Sequence, residues 1–176
     1  MSVAIDGSGT ITGLTATGIS AQPVFPGNIL QVVNATYSTY TSITSTSYTD
    51  TGLSASITPS SSSSNILILV QQPMTILGAA AVGYGNQTNC GLQLVRGSTA
   101  LFTPSTDSGG KYTMGFAASG TLVMWGIVSF SYLDSPDSTS FTTYKTQVAK
   151  GTSGMGSVEL NASGGTSTIT LLEVAA

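Results

Sequence analysis

Along most of the chain, apolar residues recur at every second position. Leu53, Ala55 and Ile57 alternate with Ser54, Ser56 and Thr58, the period of a strand with one buried face. Pro59 and the serines at 60–64 then break the chain. The unbroken apolar run at 66–70 predicts a strand buried on both faces. Residues 92–95 and 100–102 flank Arg96-Gly97-Ser98-Thr99, which predicts a tight hairpin with Gly97 at positive φ. The longest strand is expected at 121–133. Its even positions carry Leu122, Met124, Val128, Phe130 and Tyr132, and its odd positions run from Val123, Trp125 and Ile127 to Ser129 and Ser131. That distribution predicts a central strand that leaves the core toward its end, with Trp125 inside the core.

Asp134-Ser135-Pro136-Asp137-Ser138 has the composition of a turn. Further strands are expected at 29–37, 141–149, 158–160 and 167–174. Only 76–82 has any helical character, and it is too short and too close to glycine to stand alone. The pattern predicts an all-β protein, a jelly-roll-like antiparallel β-sandwich of about 8–10 strands over residues 29–176. Residues 1–28 read differently. Gly7, Gly9, Gly13 and Gly18 punctuate isolated apolar residues, and Pro23 and Pro26 precede the first strand. They predict an extended N-terminal arm whose anchors are Ile5, Ile11, Leu14, Ile19, Val24 and Phe25.

Composition sharpens this picture. Charged residues make up 6% of the 176 positions, against roughly 25% in an ordinary soluble domain. Ser and Thr supply 54 positions and take over the solvating role. With hydrophobics at 40%, mean hydropathy at +0.29 and a net charge of −3, the chain is expected to fold rather than stay disordered. Four basic residues give no electrostatic footprint for nucleic acid. No polybasic stretch or basic amphipathic helix points to a membrane, and residues 1–20 show no secretory signal. A sheet protein so poor in charge has little with which to guard its edges. Closing them against copies of itself about a rotation axis solves that problem, so an obligate oligomer is expected.

Candidate chemistry is sparse. Histidine is absent, which removes the Ser–His–Asp and Cys–His nucleophiles and every His-based metal site. Cys90 stands alone and reads as a small buried hydrophobe. Asp50-Thr51-Gly52 matches the aspartic-protease triplet, but it occurs once and is expected to be a turn. Asp134 and Asp137 flank Pro136 as possible Ca²⁺ ligands, and again the turn is the stronger reading. The sequons at Asn34, Asn86 and Asn161 follow from the abundance of Ser and Thr. No catalytic residue, metal or cofactor is expected, and the chain does not read as an enzyme.

Ordered segments carry a resemblance. They include Gly27-Asn28-Ile29-Leu30-Gln31-Val32-Val33, Thr49-Asp50-Thr51-Gly52-Leu53-Ser54-Ala55-Ser56-Ile57-Thr58-Pro59, Ser63-Ser64-Asn65-Ile66-Leu67-Ile68, Gly91-Leu92-Gln93-Leu94-Val95-Arg96-Gly97 and Ser167-Thr168-Ile169-Thr170-Leu171-Leu172-Glu173-Val174. Over about residues 27–175 the chain resembles a domain of tail fibres, tailspikes and virion proteins of phages, especially those of cyanobacteria and aquatic bacteria. The resemblance implies a β-sandwich that forms a homotrimer, as fibre tips and capsid cement proteins do. Such fibres carry a long shaft ahead of the tip, whereas about 28 residues precede it here, which favours capsid decoration. The expected role is therefore a trimeric capsid cement or decoration protein on the outer capsid surface of the virion, with the major capsid protein as partner. The alternative is a tail-fibre or tailspike tip that recognises a host surface glycan.

Overall fold

The computed structural model describes residues 4–5, 11–12, 25–78, 90–103, 122–151 and 155–176. Antiparallel strands dominate them, and the one helical element is a 3-10 turn at Ala162–Gly164. The strands are β1 (Ala4–Ile5), β2 (Ile11–Thr12), β3 (Ile29–Tyr37), β4 (Thr41–Ile43), β5 (Thr49–Ile57), β6 (Asn65–Gly78), β7 (Cys90–Arg96), β8 (Thr99–Phe102), β9 (Leu122–Asp134), β10 (Thr142–Lys150), β11 (Met155–Leu160) and β12 (Ser167–Val174).

One sheet has the order β5-β10-β7-β8 and the other contains β3-β12-β6, with β9 along the far edge of β6. Counted as eight main strands (the separate β1–β2 pair and β4 and β11 aside), the larger sheet runs first-eighth-third-sixth and the smaller one second-seventh-fourth-fifth. That is the double Greek-key order of a jelly roll. β9 pairs with β6 along its whole length. The other edge of β6 is shared, with β12 taking residues 65–71 and β11 taking 74–78, and β4 adds to β11.

Alternation places the core between the sheets. Leu53, Ile57, Ile66, Ile68, Leu94, Tyr144, Ile169 and Leu171 form one buried cluster, and Met74, Ile76, Leu92, Val148, Val158 and Leu160 belong to a second. Between them sits a polar layer. Thr51 and Thr146 share a 2.6 Å hydroxyl contact, and the Thr146 hydroxyl donates to Gln72 Oε1 at 3.1 Å. All three are fully buried.

The hairpin at 96–99 forms as predicted, with Gly97 at φ 57. Four expectations change. The 66–70 strand is buried on one face only, because Leu69 points outward and is exposed. Among the described residues β9 pairs with β6 alone, at an edge of the sheet rather than its centre, and Trp125 is 75% exposed rather than in the core. Asp50-Thr51-Gly52 lies inside β5, where the register to β10 shifts, with Gly52 at φ 90. That glycine is needed twice, since a Cβ there would also overlap the ring of Tyr37. Asp134 closes β9 instead of opening a turn. Residues 76–78 belong to β6, and 79–82 lie outside the described residues.

Candidate assembly surface

Register settles which side chains share the outer face of the larger sheet. Val32, Leu172, Leu67 and Leu133 form one row across β3, β12, β6 and β9. At the far end, Pro73, Thr75 and Leu77 of β6 stand opposite Ile127, Trp125 and Val123 of β9. Hydroxyls and amides separate the two apolar zones, with Leu69 beside Ser131 and Gln71 beside Ser129. Ten large hydrophobic side chains are exposed among the described residues. Six of them (Val32, Leu69, Val123, Trp125, Ile127 and Leu133) lie on this face, and Ile29 beside Val174 continues it. Such clustering differs from the scattered apolar residues of an ordinary surface.

The local cause is visible in β9. From 122 to 133 it holds no charged residue and no proline, and its pairing with β6 runs without a register shift. Among the described residues no strand pairs with its other edge. Edge strands normally carry Lys, Pro or a bulge against further pairing, and this one has none of these. Trp125 and Ile127, with Pro73, Thr75 and Ala162, line a shallow groove of about 310 Å³. One carboxylate, Glu159, stands on this face in register with Thr75 and accepts a 2.8 Å hydrogen bond from the Tyr40 hydroxyl.

Two acids on the inner face brace the same sheet. Gln31, Glu173, Ile66 and Asp134 form one cross-strand row. Asp134 accepts from Arg96 Nη1 at 2.9 and 2.7 Å and from the Tyr144 hydroxyl at 2.7 Å, so β9 is clamped to β7 and β10 of the opposite sheet. Burial, and then the bond to Asp134, push the Tyr144 phenol well above its ordinary value. Glu173 accepts from Gln31 Nε2 at 2.6 Å and from the Ser60 backbone N–H and hydroxyl, both at 2.7 Å. Burial alone pushes its carboxyl up, but the bonds from Ser60 and Gln31 outweigh it and hold Glu173 at about 2.

The remaining candidates are structural. Asp50 accepts from Lys145 Nζ at 2.8 Å and Gln147 Nε2 at 2.6 Å, and the Lys145 bond holds it below the usual carboxylate range. Asp134 is committed to Arg96 and Tyr144, and no group of three or more metal-ligating residues occurs among the described residues. Burial pushes the Cys90 thiol up to about 12. Asn161 is buried, donating to the Thr39 carbonyl and accepting from Ser167; Asn34 is exposed, and Asn86 lies outside the described residues.

Of the arm anchors, Ile5 and Ile11 are register partners in the β1–β2 pair, and Phe25 is exposed. Leu14, Ile19 and Val24 lie outside the described residues. Gly27 N–H donates to the Ala175 carbonyl at 2.8 Å, and Ala175 N–H donates to the Asn28 carbonyl at 2.9 Å, which ties the end of this segment to the C-terminus. Sequence reasoning missed the outer face because it assigned the odd positions of β9 to the core. The serines at 129 and 131 were the signal that this face meets solvent.

No family model matches the sequence, and no curated protein does. Among solved structures, the chain is similar to VP2 in a subviral particle of infectious bursal disease virus, at 14% identity and TM-score 0.32, covering 90% of this chain and 42% of that one. It is similar to the Gx strain of the same virus at 14% identity and TM-score 0.32, covering 90% and 43%. T=1 particles derived from the virus match at 14% identity and TM-score 0.29, covering 90% and 41%. The chain thus spans about two fifths of the solved chains it matches. At these TM-scores the function of the chain rests on its own residues.

Proposed function

We propose that the chain is a non-enzymatic virion structural protein, a trimeric capsid cement or decoration subunit that binds and reinforces the outer capsid surface of a phage. One observation carries this reading: most of the large hydrophobics exposed among the described residues gather on one sheet face, along which β9 holds no charged residue from 122 to 133. Three copies meet through that face about a three-fold axis. Fully burying a side chain of the size of Ile127 or Leu133 contributes about 1.5–3 kcal/mol, so a few such side chains per subunit support a stable assembly. The arm, with Ile5, Ile11, Leu14, Ile19, Val24 and Phe25 as anchors, grips the major capsid protein. An extended segment does this by adding main-chain hydrogen bonds to a shell edge while its apolar residues set register.

Sedimentation equilibrium tests the first step, with a species of three times 17.7 kDa expected and a stable monomer overturning it. Quantifying the protein in purified particles tests the second. Stoichiometry matching the capsid lattice is expected, whereas a few copies per particle would place it at a fibre tip.

A further inference from the structure

The polar layer between the two apolar clusters joins Thr51 of β5 and Thr146 of β10 on one sheet to Gln72 of β6 on the other, all fully buried. Its protons can be followed one by one. Leu53 N–H donates to Thr51 Oγ1 at 3.1 Å, and the Thr51 hydroxyl lies 2.6 Å from Thr146 Oγ1 and 3.2 Å from the Thr146 carbonyl oxygen. Each hydroxyl has a single proton to give. Thr146 gives its proton to Gln72 Oε1 at 3.1 Å, so Gln72 Nε2 is left with no acceptor among the described residues. Turning the amide over does not cure this. Nε2 would then donate once to Thr146, and the other N–H and the carbonyl oxygen would lack partners instead. A primary amide sealed in that state costs more than its one bond returns.

The backbone opens beside it. β10 pairs Lys145 with Ser54 and Gln147 with Asp50, so Thr146 stands opposite residues 51–53. At this bulge a groove of about 230 Å³, lined by Asp50, Gly52, Leu53, Ser54, Lys145 and Thr146, reaches from exposed Asp50 and Ser54 to the buried layer. We infer that one water molecule is held inside the sandwich at the Gln72 amide, reached through this bulge. Water both donates and accepts, so it satisfies the amide in either orientation. The three side chains of the layer carry no charge with which to hold an ion instead. Bound there, the water completes a polar tie from β6 to the β5–β10 bulge, and the site is independent of assembly through the larger sheet.

Magnetic relaxation dispersion of the water oxygen nucleus, on the full chain, counts waters held longer than the protein tumbles and is blind to hydroxyl protons. Gln72→Met keeps the length of the side chain and removes the amide. It is expected to lower the count of long-lived waters by one, with an unchanged circular dichroism spectrum. In the wild type, the Gln72 side-chain amide protons are expected to show a water cross-peak of the sign given by a long-lived contact. An equal count in both proteins overturns the inference. So does the absence of that cross-peak, a measurement that needs no variant and decides the matter even where Gln72→Met fails to fold.

Discussion

The two outer faces of the sandwich solve the same problem, a sheet with few charges, in opposite ways. On the smaller sheet, β5 and β10 present Asp50, Ser54, Ser56, Thr143, Lys145 and Gln147 and lace them together. Ser56 pairs with Thr143 at 2.8 Å, and Asp50 bonds both Lys145 and Gln147. On the larger sheet, β6 and β9 set Leu67 against Leu133 and Pro73 against Ile127. Polar groups that bond one another across strands are finished within the subunit, whereas exposed apolar groups gain only when something else covers them. The contrast therefore separates a bare face, the one the proposed assembly would cover, from a face whose polar groups are already satisfied.

The sharpest break is Trp125→Asp. Placing a carboxylate beside Thr75 at the far end of the bare face sets a desolvation cost against association and removes the largest exposed side chain there. The subunits should dissociate by at least about 100-fold, roughly 3 kcal/mol, in sedimentation velocity, with the circular dichroism spectrum unchanged. Ser54→Asp, the same charge on the laced face, should leave the assembly intact. Equal effects from both would erase the distinction between the faces.

The clamp behind the bare face is next. Asp134→Ala leaves the Tyr144 hydroxyl without its acceptor and frees Arg96. It should cost about 3 kcal/mol in denaturant unfolding, since a buried partner is removed from a charged network. Tyr144→Phe, which removes one donor and keeps the packing, should cost about 1 kcal/mol.

These elements also show what the pattern along the chain could and could not reveal. The β5 alternation, the Gly97 hairpin and the all-β class were legible because a one-sided strand and a positive-φ turn leave local marks. The jelly-roll order needed the pairings, which are nonlocal. Trp125 was misplaced because an apolar residue on an exposed sheet face has the same spacing as one facing a core, and hydropathy alone does not separate them. Asp50-Thr51-Gly52 was misread as a turn because a bulge and a turn call for the same residues. Asp134 and Glu173 gave no sequence signal as braces, because their partners Arg96 and Ser60 lie far away in the chain.

Acid should test the Glu173 brace. Its folded value of about 2 lies below the ordinary 4.5, so its contribution is complete above about pH 4.5 and is lost as pH falls toward 2. That contribution is on the order of 2 kcal/mol. Glu173→Gln should remove most of it at neutral pH and flatten the acid limb of the stability curve between those limits. An unchanged acid limb in the variant would mean that the Ser60 loop is held by other contacts.

The smallest effect belongs to the laced face. Asp50 and Lys145 form an ion pair on it, at 2.8 Å, with the aspartate side chain 55% exposed. Water screens a pair so placed, and ordering two side chains offsets part of the attraction, so exposed pairs contribute about 0–1 kcal/mol. The Lys145 bond lowers the Asp50 carboxyl, so whatever the pair adds is present above the ordinary carboxylate range and fades as pH falls through the lowered value. A double-mutant cycle with Asp50→Ala and Lys145→Ala should give a coupling under about 1 kcal/mol, reduced further by salt, and neither variant should alter the sedimentation coefficient. A large coupling, or dissociation on losing either charge, would mean that the laced face is itself buried in the assembly. Subunits would then meet through both faces rather than through β6 and β9.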